Sequence, residues 1–152
     1  MNSVNSEKKQ KIKLTADEFR YIALLHEITN TYTYDCIIDE ENNRVIYLVD
    51  PKDIGRAIGP RGSVVQQLRN LLNRDVEIVG FSENLEEQVK LSLAPARVKE
   101  VKVVSRAGNK KIVYAVVDPS DKAIAIGRNG RTVSRATLIL KRHFGIDRLI
   151  IV

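Results

Sequence analysis

Two stretches of this chain repeat each other at one fixed offset, and no other feature limits the fold as much. Val45-Ile-Tyr-Leu-Val-Asp-Pro51 aligns with Val113-Tyr-Ala-Val-Val-Asp-Pro119, and Ala57-Ile-Gly-Pro-Arg-Gly62 with Ala125-Ile-Gly-Arg-Asn-Gly130, each 68 positions further on. Asp53 and Asp121 keep the same offset. After each glycine loop comes an apolar stripe at helical spacing, Val64, Val65, Leu68, Leu71 and Leu72 in the first copy and Val133, Ala136, Ile139 and Leu140 in the second. The i, i+3, i+4, i+7 pattern predicts an amphipathic helix in each half. Each half then closes with a short apolar strand, Val76–Val79 and Arg148–Val152.

The pattern also repeats upstream. Thr15-Ala-Asp-Glu18 has the form of a capping box and is followed by Tyr21, Leu24, Leu25 and Ile28 on one helical face. In the second half Ser82 can cap a helix that carries Leu85, Val89 and Leu93 and stops before Pro95, with Glu83, Glu86 and Glu87 on its outer side. Asp35–Asp39 and Arg44–Val49 read as two strands joined by a polar turn, and Arg97–Ser105 with Lys110–Val117 as their counterparts. Both halves therefore follow the order helix, strand, strand, helix, glycine loop, helix, strand. This predicts an α+β fold with two three-stranded sheets, each covered by helices on one face. The expected division is a flexible polar tail over 1–13, a first domain over 14–80 and a second over 81–152. Gly80-Phe81-Ser82 leaves almost no linker, so rigid packing of the two units is expected.

The chain carries a net charge of +6, and the position of that charge is informative. Residues 51–74 place Lys52, Arg56, Arg61, Arg69 and Arg74 against Asp53 alone; residues 119–142 place Lys122, Arg128, Arg131, Arg135, Lys141 and Arg142 against Asp121 alone. The combined surplus of nine exceeds that of the whole chain, so everything outside the two loops and their helices is net acidic. Concentrated positive charge of this kind is the footprint of a polyanion site, present twice.

Two glycines flanking a two-residue loop let the chain turn with φ > 0, let another backbone approach where a Cβ would stand, and open onto the N-terminus of the next helix. One such loop is often only a packing corner. Two, equivalently placed and each holding an arginine, point to phosphate. The candidate binding residues are Gly59, Pro60, Arg61, Gly62 and Ser63 with Arg56 in the first half. In the second they are Gly127, Arg128, Asn129, Gly130 and Arg131 with Lys122 and Arg135. Pro60 removes one N–H donor, whereas Arg128-Asn129 keeps both and adds a side-chain amide, so the second loop is expected to bind more strongly. Asp53 and Asp121, at the start of the short helices, are read as caps.

Other function classes find little support. Neither loop has the GxxxxGK[ST] form or a nearby carboxylate cluster for Mg²⁺, so no enzyme and no cofactor are expected. Cys36 is the sole cysteine, and His26 and His143 stand apart from any second ligand, which leaves no metal site legible and fits a cytoplasmic protein. No apolar run approaches the roughly 20 residues of a membrane span, and the lysine-bearing start of the chain is neither a signal peptide nor an anchor. Tyr21, Tyr47 and Tyr114 are expected in or near the core, and with 5% aromatics and no tryptophan the chain offers little for base stacking.

The tandem arrangement resembles a pair of type II KH domains, in which a GxxG loop clamps the backbone of about four nucleotides. Asp50-Pro51, Gly59-Pro60-Arg61-Gly62-Ser63-Val64 and Ala125-Ile126-Gly127-Arg128-Asn129-Gly130 are similar to the two KH units of the NusA family of transcription termination and antitermination factors. The likeness spans residues 15–152. With no room for the polymerase-binding and S1 domains of bacterial members, it is to the short archaeal form. The resemblance implies that both loops contact RNA phosphates. It also implies that the apolar helix before each loop, Ile54, Ala57 and Ile58 or Ala123, Ile124 and Ile126, floors a groove for unstacked bases. The expected partner is single-stranded RNA bound by a monomer. RNA polymerase and ribosomal particles both stay open as protein partners, the latter in rRNA maturation.

Overall fold

The computed structural model describes residues 12–152; the expected tail lies almost wholly outside the described residues. The chain forms two compact units, Lys13–Ser82 and Glu83–Val152. In the first, helix α1 (Ala16–Thr29) starts on the predicted capping box: the Glu18 N–H donates to Thr15 Oγ1 at 3.1 Å and the Thr15 N–H to Glu18 Oε1 at 3.0 Å. Strands β1 (Thr33–Asp39) and β2 (Arg44–Val49) form an antiparallel hairpin, and β3 (Asp75–Gly80) lies parallel to β2, in the order β1-β2-β3. A parallel pair needs a long crossover. Here it is the segment with helix α2 (Ile54–Ile58), the first glycine loop and helix α3 (Ser63–Leu72), so the loop hangs between the central and an edge strand.

Helix-facing residues of all three strands, Cys36, Val45, Tyr47, Val49 and Val76, pack with Tyr21, Leu25, Ala57, Val65 and Leu68 into one core. Tyr47 is fully buried, and its hydroxyl donates to the Tyr21 carbonyl at 2.9 Å. Burial pushes that phenol well above its ordinary range. Arg44 is buried too, and is held by Asp39 at 2.8 Å and Glu77 at 3.3 Å, as a buried charge must be.

The second unit repeats the plan with helix α4 (Leu85–Leu93), strands β4 (Val98–Arg106) and β5 (Lys110–Val117), helix α5 (Lys122–Ile126), the second loop, helix α6 (Arg131–Phe144) and strand β6 (Arg148–Ile151). Its sheet runs β4-β5-β6, antiparallel then parallel. Val89, Leu93, Val113, Ala115, Ala136, Leu140 and Leu149 form the core. The predicted mixed α+β architecture and element order are observed.

Two local expectations are corrected. Asn84, not Ser82, caps α4, because its side chain reaches the Glu87 N–H at 2.8 Å. The first strand starts at Thr33 rather than Asp35: Thr33 pairs with Val49 across a bulge that separates it from the regular pairing beginning at Asp35.

Candidate nucleic-acid interface

Both loops are built the same way. Helix α2 ends at Ile58 with the Gly59 N–H on the Gly55 carbonyl, and α5 at Ile126 with the Gly127 N–H on the Ala123 carbonyl, each at 2.9 Å. Gly59 then stands at φ 81°, ψ 163° and Gly127 at φ 82°, ψ 165°, a region open essentially to glycine alone. The third loop residue is left-handed in both, Arg61 at φ 55° and Asn129 at φ 56°, followed by Gly62 at φ 74° and Gly130 at φ 73°. Sequence reasoning assigned the turn to the glycines and missed this αL step. Asparagine tolerates it well, whereas an arginine there carries some strain.

The glycines of each loop differ in role. A Cβ on Gly59 would lie 2.7 Å from the Val64 nitrogen, and one on Gly127 would lie 2.7 Å from the Thr132 nitrogen, so the first glycine lets the loop fold back on the next helix. A Cβ on Gly62 would meet nothing within 4 Å, and one on Gly130 only Val133 at 3.9 Å. The second glycine therefore faces open space, where a ligand backbone can approach.

Hydrogen bonding inside the turn fixes which donors remain. The Gly62 N–H closes onto the Gly59 carbonyl and the Gly130 N–H onto the Gly127 carbonyl, each at 3.0 Å, while Ser63 and Arg131 donate to the Pro60 and Arg128 carbonyls. The amides not consumed by the turn are that of Arg61 in the first loop and those of Arg128 and Asn129 in the second. Helices α3 and α6 begin at Ser63 and Arg131 with no side-chain cap, so their positive ends face the loops.

The flanking side chains are less uniform than their charges suggest. Pro60, Arg61 and Ser63 are exposed, as are Lys122, Arg128 and Asn129, and Arg131 is half-buried. Arg56 is exposed and paired with Asp53 at 2.8 Å. Arg135 turns away from the loop and donates to the carbonyls of Ser92 at 2.8 Å and Ala94 at 3.4 Å, at the C-terminal end of α4, where a cation is favoured. Ala57 and Ala125 are fully buried and anchor the short helices. Beside the second loop Ile124 and Ile126 are 46% and 41% exposed, an apolar surface next to the cationic turn, whereas Ile54 and Ile58 pack on the first core.

Asp53 and Asp121 are not caps. Neither makes a capping bond to its helix; Asp50 and Asp118, at the preceding turns, accept from the backbone N–H groups of Lys52 and Ser120. At φ −99°, ψ −1° and φ −104°, ψ 1°, Asp53 and Asp121 lack the extended backbone from which a capping side chain turns back onto the first turn of its helix. Asp121 instead receives the Arg97 backbone N–H at 2.8 Å, the Nε–H at 2.8 Å and the Nη2–H at 3.2 Å. These bonds hold its carboxyl down at about 2, below the ordinary 3.8. The resulting stabilisation is complete above pH about 4 and is lost as the pH falls from 3.8 towards 2. Asp121→Asn is accordingly expected to melt lower than the unsubstituted chain at pH 6, with the gap closing below pH about 3. Thermal scans across that range check this, and a gap that persisted at pH 2 would contradict it.

A family model for the KH domain matches residues 20–102, and one for the NusA-like second KH domain matches 85–151. The chain belongs to the NusA-like KH family. It is 35% identical over 137 residues to the probable transcription termination protein NusA of Halococcus morrhuae, covering 90% of this chain and 96% of that one. It is 29% identical over 139 residues to the protein of the same name from Methanocaldococcus jannaschii, 91% of this chain and 74% of that one. Among solved structures, the crystal structure of APE1850 superposes with a TM-score of 0.84 at 40% identity, covering 91% of this chain and all of the other. Two KH domains thus account for the duplication seen in the sequence. No helix among the described residues is long and apolar enough to cross a membrane.

Two exposed side chains around the start of β1 escaped the sequence reading. Tyr32 and Tyr34 are 67% and 43% exposed. The run Thr31-Tyr32-Thr33-Tyr34 carried the signal, since its strict alternation sends both rings to the face opposite the two buried threonines.

Proposed function

We propose that this chain binds single-stranded RNA through two GxxG phosphate clamps and acts as a NusA-like transcription elongation and termination factor. The observation that carries the reading is the near-identity of the two loop backbones, each with at least one spare amide, an exposed arginine and an uncapped helix start. Such geometry suits the sugar-phosphate backbone and has no feature that selects a base. Carrying two clamps on one chain makes the second engagement intramolecular, which multiplies affinity without any new contact.

The direct test is salt dependence. If the clamps neutralise roughly four to six phosphates, log K for single-stranded RNA falls against log[salt] with a slope of about −3 to −4. A flat response in a titration from low to high salt would refute phosphate clamping. For the cellular role, the names of the relatives favour transcription over ribosome maturation. Affinity capture from native extract separates the two: recovery of RNA polymerase subunits is expected, and recovery of ribosomal particles alone would replace the transcription reading.

A further inference from the structure

Unit one holds an aromatic cluster that the phosphate clamp does not use. The Tyr32 and Tyr34 rings meet edge to face with centroids 4.9 Å apart and planes at 87°. Tyr34 in turn stacks on Phe81 at 4.7 Å and 24°. With only five tyrosines and three phenylalanines in the chain, the gathering of three on one surface is a substantial part of its aromatic content. The bulge between Thr33 and Asp35 sets Tyr34 outward between two buried neighbours, and Phe81 is tied to the same end of the sheet by its N–H on the Val49 carbonyl at 2.7 Å.

That end of the sheet is where the clamp begins. Thr33 pairs with Val49, and Val49 runs directly into the Asp50–Asp53 turn that opens α2. The second unit shows what this position faces. Val98 pairs with Val117, the residue equivalent to Val49, so Arg97 and Lys99 occupy there the places that Tyr32 and Tyr34 hold in the first unit. Arg97 lies within hydrogen-bond distance of Ser120 and Asp121, and Lys99 is 3.9 Å from Asp118, all in the turn that leads to the second clamp. The surface beside the turn that leads to the clamp is thus cationic and internally paired in the second unit, and aromatic and exposed in the first. From Asp53 to Gly59 the six residues of the helical path cover about 9 Å at 1.5 Å each, within reach of the four or so nucleotides that a GxxG loop holds.

We propose that Tyr32 and Tyr34, backed by Phe81, form a stacking subsite for one unpaired base of RNA held at the first clamp. The proposal rests on the single-stranded RNA reading above and amends the expectation that this chain offers little for base stacking. It also gives the units different tasks. The first has lost an amide donor to Pro60 and holds a base by its π face, which is tolerant of sequence. The second keeps both donors and grips phosphate.

The test uses the full chain and two probes of equal length and charge: a short oligoadenylate, and a ribose-phosphate oligomer without bases. Tyr32→Ala combined with Tyr34→Leu is expected to weaken oligoadenylate binding by about 10- to 100-fold, leave binding of the baseless oligomer unchanged and leave the salt slope unchanged. Tyr32→Ala alone, at an exposed site, gives a smaller loss of the same kind and guards against misfolding of the double variant. Equal weakening of both probes would overturn the subsite and make the rings supports of the clamp. Unchanged oligoadenylate binding would overturn it as well and assign the rings to a protein surface. If the unsubstituted chain binds neither probe, the RNA reading itself falls and takes the subsite with it.

Discussion

Gly127→Ala is expected to destabilise the second unit by about 3 kcal/mol or more, against about 1 kcal/mol for Gly130→Ala three residues on. Both glycines have positive φ, so composition and torsion sign alone would rank them alike. The difference lies in what surrounds them. At Gly127 an added Cβ enters the Thr132 backbone and side chain, with the nitrogen at 2.7 Å, in a torsional region that L residues avoid. At Gly130 it meets only Val133 at 3.9 Å, in the αL region that costs an ordinary residue about 1–2 kcal/mol. The same contrast holds in the first unit, where a Cβ on Gly59 would sit 2.6 Å from Val64 Cγ2 and one on Gly62 in open space. Denaturant unfolding with hydrogen exchange resolved to each unit measures both. Equal costs within either pair would show that the fold-back of the loop onto the helix is not what demands glycine.

The second large effect concerns binding. Arg128→Asp with Asn129→Asp is expected to lower affinity for single-stranded RNA on the order of 100-fold, and Pro60→Asp with Arg61→Asp on the order of 10-fold. Each pair of substitutions removes one positive charge and adds two negative ones, so the comparison isolates geometry from net charge. The second loop starts with two spare amides and the first with one, because Pro60 has no N–H and fixes its own φ. Folding should be spared in both, since aspartate tolerates the αL torsions at 61 and 129 better than most residues. Fluorescence anisotropy at one fixed salt concentration gives the ratio. An equal loss at the two loops, or a larger one at the first, would remove the asymmetry.

Much of this was legible without coordinates. The offset of 68 between Val45–Gly62 and Val113–Gly130 already implied two copies of one unit. The helical stripes and paired strands gave their element order, because hydrophobic periodicity reports directly on which face is buried. What failed was local and competitive. Ser82 and Asn84 are both good caps, and the choice between them depends on where the backbone leaves the preceding strand. Asp53 directly precedes α2, yet its near-helical torsions, φ −99° and ψ −1°, leave it making no capping bond. Arg135 carries the same charge as Arg128, yet its direction on α6 sends it to the end of α4.

The sequence by itself determined that the chain is a duplicated α+β unit with its positive charge gathered at two glycine loops, since repetition, period and composition are properties of order along the chain. Only the tertiary structure decided which loop amides stay available, which arginines face the loop and which face a neighbouring helix end, and that Tyr32, Tyr34 and Phe81 meet at all. The reason is physical: Phe81 lies 47 residues beyond Tyr34, and a β-bulge with a parallel strand pairing brings their rings to 4.7 Å, a contact that no local pattern encodes.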